Sequence, residues 1–205
     1  MDVRTSFRHL GLDSASWAEG YARAWRAGYS LERHAEEMDR RSGGERAFED
    51  MKRILRESFM DLRRYLFSDV LPFLGATKER GARLYLLSFG DPDWQLYKVR
   101  GSGIEPYFDG IFFTAQDGGK TNTVLEHAGS CQTAVMVDNN PSELDLIKEA
   151  APGIATYCIN RVPRELVVPA DEISRLRFLE ARDYATRPWR HRHVPCRTLD
   201  EVGTS

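Results

Sequence analysis

The chain has 205 residues, 41% hydrophobic and 29% charged, which suffices for a substantial core in one domain plus an accessory element and excludes a disordered chain. Lys plus Arg number 29 against 31 for Asp plus Glu, a formal charge of -2, so the basic footprint of a nucleic-acid binder is missing. No window reaches the ~18 consecutive apolar residues of a membrane helix, and MDVRTSFRHL lacks the apolar core of a secretion signal, so no membrane partner is expected.

The first third reads as helices. Trp17, Tyr21, Ala24 and Trp25 recur at helical spacing after Asp13 and Ser14, Gly28 interrupts, and Ser30 starts a second helix through Met38. Beyond Gly43 and Gly44, a stripe of Phe48, Met51, Leu55, Phe59, Leu62 and Leu66 marks a longer helix with charges on its other side. That stripe is a core face.

From Pro72 the pattern changes to short apolar runs alternating with helices, the rhythm of a parallel sheet with crossover connections. The expected strands are Arg83 to Phe89, Gly110 to Thr114, Gln132 to Asp138 and Ile154 to Ile159, with helices near 93 to 101, 121 to 128 and 141 to 150. Farther on, Asp171 to Tyr184 is expected to be helical and His193 to Leu199 to hold a last short strand. The basic cluster RPWRHRH, Arg187 to His193, reads as a solvated surface, because its two histidines have no third ligand. Cys131, Cys158 and Cys196 form no CxxC pair and are odd in number, so a reducing cytoplasm is the expected setting.

Such a sheet binds ligands at the carboxyl ends of its strands. Ser88 closes the first run and offers a hydroxyl to a phosphoryl oxygen. Lys120 follows the second run, after Gly118 and Gly119, at a helix start where its charge can neutralise phosphate. Asp138 closes the third and suits Mg2+, a hard cation that shares oxygen ligands with phosphate. Together the three make the complement expected for phosphoryl transfer.

The order Ser88, Lys120, Asp138, set in LYLLSFGDPDWQLYKVRGSGIEPYFDGIF, GGKTNTVLEHAG and VMVDNNPSELDLIKEA, resembles the haloacid dehalogenase-like hydrolases from about Val70 to Arg161. The resemblance implies a Rossmann-like α/β core over 71–205 and a helical cap over 1–70. It implies that Ser88 hydrogen-bonds a phosphoryl group, that Lys120 stabilises its charge, and that Asp138 with Asn139 holds Mg2+. A small phosphorylated molecule would be the partner, while the oligomeric state is open.

Two features depart from that family. Its reaction starts from an Asp-x-Asp motif at the end of an apolar first strand, the first aspartate attacking phosphorus and the second serving as acid and base. Here Asp2 is the only acidic residue before Asp13, and the lone Asp-x-Asp, Asp91 and Asp93, reads as a helix cap before Pro92. A truncated relative without turnover is therefore expected, and two accounts stand open: a true start farther upstream, or a real truncation. Secondly, Asn139 stands where relatives carry a second aspartate, so Mg2+ is expected to be weak or lost. Asn140, Pro141 and Glu143 read as N-cap, N1 and N3 of a helix.

Overall fold

A computed structural model describes residues 19–24, 29–42, 48–58, 62–115, 118–128, 133–161 and 183–203. These divide into two compact units, one comprising the described part of 1–66 with Gly90–Glu105, the other most of the remainder.

The first unit is helical. Residues 19–24 are helical, α1 is Leu31–Ser42 and α2 is Phe48–Ser58. Met38, Met51 and Leu55 are fully buried, as their helical spacing predicts, and each contributes roughly 1.5–3 kcal/mol of apolar burial. Phe59 lies outside the described residues, and the expected long helix gives way to a 3-10 turn at Arg63–Tyr65. Trp94 and Tyr97 complete this core, the Tyr97 hydroxyl donating to the Arg56 carbonyl. Gly20 is required by close approach, since a Cβ there would lie 3.2 Å from Met38 Cγ and 3.3 Å from His34 Cδ2.

In chain order the remaining elements are α3 (Val70–Glu79), β1 (Tyr85–Phe89), α4 (Pro92–Gly101, which belongs to the first unit), β2 (Gly110–Thr114), α5 (Lys120–Ala128), β3 (Val135–Asp138), α6 (Pro141–Ala150), β4 (Ala155–Ile159) and β5 (Val194–Cys196). Helix α3 has no counterpart in the sequence prediction. Pro72, taken as the point where the pattern changes, sits in its first turn, where a missing N–H costs nothing. Strand β1 begins two residues later than expected because Leu84 bonds Asp109 through both backbone and carboxylate, closing the ladder before Tyr85. Residues 171–182 of the expected C-terminal helix lie outside the described set, and 183–186 are helical.

All strand pairs among the described residues are parallel, as predicted. β1 pairs with β2 from Tyr85↔Gly110 to Phe89↔Thr114; β3 pairs with β4 from Val135↔Ala155 to Asp138↔Cys158; β4 pairs with β5 from Tyr157↔Val194 to Ile159↔Cys196. Among the described residues no ladder joins β1 to β3. The two ladders nevertheless share a core, in which Val124 of α5 and Ile147 of α6 pack with Leu87 of β1 and Met136 of β3. The shared core sets the ends of β1 and β3 on one framework.

Candidate functional site

Lys120 and Asp138 meet. Lys120 opens α5 and Asp138 closes β3; each is 8% exposed, and Nζ lies 2.5 Å from Oδ2. Asp138 Oδ1 accepts the Asn140 N–H at 2.8 Å, so both carboxylate oxygens are engaged. A lysine at a helix N-terminus sits in the positive end of the helix dipole. Asp138 offsets a charge that is costly there twice over, by burial and by position.

Ser88 lies in β1 opposite Phe113 of β2, half-buried, and makes no hydrogen bond to Lys120 or Asp138. Asn139 is exposed at the first position after β3. Of the four residues singled out by sequence, the structure therefore brings two into contact, and places Ser88 near the end of β1 and Asn139 just after β3.

The described residues do not fit a resident Mg2+. No group of three His, Cys, Asp or Glu converges among them, and the Asp138 carboxylate already faces an ammonium ion. Asn139 adds only a neutral oxygen.

Two helix starts behave as expected: Asp91 caps α4 by accepting the Trp94 N–H at 2.9 Å, and Asn140 caps α6 by accepting the Ser142 N–H at 3.1 Å. Glu143 departs from the capping role predicted for it. The Asn140 N–H is already taken by Asp138, and Glu143, 1% exposed, instead accepts the Gly118 N–H at 2.7 Å. Gly118 has φ +82, which disfavours any other residue. Glu143 thus ties α6 to the turn that presents Lys120.

The basic cluster is not simply a solvated surface. His193 is 3% exposed, with Nε2 3.1 Å from Asp145 Oδ1 and Nδ1 2.8 Å from Thr156 Oγ1. The ring thus bridges the Asp145 carboxylate and the Thr156 hydroxyl. Asp145, buried on α6, also accepts the backbone N–H groups of Arg190 at 3.1 Å and His191 at 2.8 Å. Burial raises the pKa of Asp145, but these N–H groups and the His193 ring outweigh burial and hold it below the ordinary range. Sequence spacing could not reveal this, because Asp145 and His193 are 48 residues apart; two acids beside the core residue Leu144 were the available signal.

A cavity of about 440 Å3 opens beside Asn139, walled by Phe67, Ile159, Tyr184 and Trp189 with Asn160 and Arg161 at the end of β4. The Arg161 guanidinium lies 4.1 Å over the Phe67 ring and 2.8 Å from Asp69 Oδ2. Cys158 borders the cavity; burial first, then the Asp138 carboxylate, push its thiol up to about 11.

No protein-family model matches the chain. Phosphoserine phosphatase of Thermus thermophilus is 32% identical over 128 residues, 58% of this chain. The chain spans about half, 50%, of that curated relative's length. Among solved structures, a Burkholderia xenovorans LB400 protein described as a haloacid dehalogenase-like hydrolase matches 97% of this chain and 84% of its own, with a TM-score of 0.65 and 18% identity. The L-2-haloacid dehalogenase of Xanthobacter autotrophicus matches 96% of this chain and 88% of its own, with a TM-score of 0.57 and 15% identity. The hydrolase YfnB of Bacillus subtilis, solved bound to magnesium, matches 80% of this chain and 82% of its own, with a TM-score of 0.51 and 15% identity. Parallel strands joined by crossover helices, and the likeness of nearly the whole chain to these structures, give the same conclusion: this is an α/β protein with the haloacid dehalogenase-like fold.

Proposed function

We propose that this chain is a relative of the haloacid dehalogenase-like hydrolases whose crevice binds a small phosphorylated molecule, and that its 205 residues by themselves do not turn it over. The observation that carries the reading is the buried Lys120–Asp138 pair at the junction of β3 and α5. An ammonium group and a helix N-terminus together favour a phosphoryl group. Ser88, next to the last residue of β1, is proposed to supply a hydroxyl donor. The likeness to phosphoserine phosphatase supports a phosphate monoester, and the helical segment 1–70 is proposed as the cap that selects it.

Turnover by the family's covalent route needs a carboxylate that attacks phosphorus. In these 205 residues the only Asp-x-Asp is that of Asp91 and Asp93, and Asp91 is committed to capping α4. Mg2+ is proposed to be weak or lost, since Asp138 faces Lys120 and Asn139 is neutral; the positive charge comes from Lys120. A reducing cytoplasm agrees with two buried free thiols, Cys158 and Cys196.

The test is calorimetric titration with inorganic phosphate and phosphoserine, with and without Mg2+, alongside a phosphate-release assay. Binding that Lys120→Ala abolishes, without release above that variant, is the expected result. Mg2+-dependent release well above Lys120→Ala would refute the lack of turnover, and equal binding by both proteins would refute the site.

A second reading, a binding or interaction module without catalysis, is favoured by the full engagement of both Asp138 oxygens. It predicts binding of neither inorganic phosphate nor phosphoserine and no release under any metal.

A further inference from the structure

We infer that the cavity beside Asn139 takes the organic part of the phosphorylated molecule, and that this part is a flat, uncharged aromatic group. The inference rests on the phosphoryl-binding reading above and adds the substrate class.

Position comes first. Asn139, on the cavity wall, directly follows Asp138, so the cavity begins one residue, ~3.8 Å of backbone, from the Lys120–Asp138 pair. A molecule with its phosphoryl group at Lys120 can reach across Asn139 into it. The cavity volume of about 440 Å3 lies in the ~300–1,000 Å3 range of small-molecule sites.

Chemistry narrows the occupant. Phe67 and Trp189 are 56% and 40% exposed, large apolar rings left wet at the cavity wall. Tyr184 adds a third ring, with the Arg187 guanidinium stacked on it at 4.6 Å. Aromatic walls favour offset or edge-on contact with another ring. Among the described residues the sole charged group on the wall, Arg161, is already balanced by Asp69, whose other contact, the Leu199 N–H at 2.7 Å, holds it in place. An anionic group would have to compete with Asp69 for that guanidinium, and a cation would be repelled by it. Asn139 and Asn160 offer amide hydrogen bonds to a polar substituent at the rim.

Three probes separate the two halves of the site: phenyl phosphate, phenol and inorganic phosphate, each titrated calorimetrically into the full chain. The ester is expected to bind more tightly than either fragment. Ala185→Trp, which fills the cavity from its wall, should weaken the ester and the phenol by about tenfold or more and leave inorganic phosphate unchanged. Lys120→Ala should weaken the ester and phosphate and leave the phenol unchanged. Trp189→Ala, which opens the wall at an exposed position, repeats the first test should the larger side chain prevent folding, and should also weaken the ester and the phenol. Phosphate binding without phenol binding overturns the cavity assignment alone. Phenol binding without phosphate binding overturns the phosphoryl reading and, with it, the link between the two. Unchanged phenol affinity in a folded Ala185→Trp or Trp189→Ala protein also overturns the assignment.

Discussion

Asp145→Asn removes one charge and keeps the shape of the side chain. In the folded protein Oδ1 accepts from the His191 N–H at 2.8 Å and stands 3.1 Å from His193 Nε2, the Arg190 N–H is shared between Oδ1 and Oδ2 at 3.1 Å each, and the Arg190 guanidinium stands 3.6 Å from Oδ2. An asparagine can keep its oxygen toward His191, His193 and the Arg190 N–H. Its NH2 group then takes the place of Oδ2 and leaves the Arg190 N–H a single neutral acceptor. Hydrogen bonds to a charged group are worth roughly 1.5–3 kcal/mol against roughly 0.5–1.5 for neutral ones, so weakening three by about 1 kcal/mol each costs about 3 kcal/mol. For a chain of this length that lowers Tm by about 6–12 °C. The sign with pH follows from the lowered pKa of Asp145 in the folded state. Its contribution is fully present above the unfolded value of about 3.9 and disappears as pH falls through the lower folded value. Urea melts at neutral pH should show the full difference between the two proteins, narrowing steadily as pH falls below about 4. Equal midpoints at neutral pH, or a difference that persists undiminished into strong acid, would refute the clamp.

Asp138→Asn should cost about 3–5 kcal/mol in chemical denaturation by leaving the Lys120 ammonium buried without its counterion; the double variant Asp138→Leu with Lys120→Met should recover most of that, and additive losses would argue against a coupled pair. Glu143→Ala should destabilise by about 1–3 kcal/mol and weaken phosphate binding, because the Gly118 N–H loses its acceptor and the turn before Lys120 loosens; unchanged phosphate affinity would limit Glu143 to stability. Cys158, buried and with its thiol raised to about 11, should resist iodoacetamide at neutral pH in the native protein and react once urea unfolds it; rapid native labelling mapped to Cys158 would contradict the packing.

The apolar periodicities determine most of this fold because they are local. The runs ending at Phe89, Thr114, Asp138 and Ile159 become parallel strands, and Met51 and Leu55 fall inside as their spacing requires. Caps are equally local, and Asp91 and Asn140 bond N–H groups two or three residues away. Ser88 and Asp138 mark strand ends, and Lys120 a helix start, for the same reason. Pairings across the chain are another matter. Glu143 looks like an ordinary N3 residue until Gly118, 25 residues earlier, is placed against it. Arg187 to His193 reads as surface until Asp145 turns inward from α6 and draws His193 out of water. The sequence by itself determined the elements and the residue types at their ends; only the tertiary structure decided which buried charges meet, because burial makes a partner obligatory without saying where in the chain it comes from.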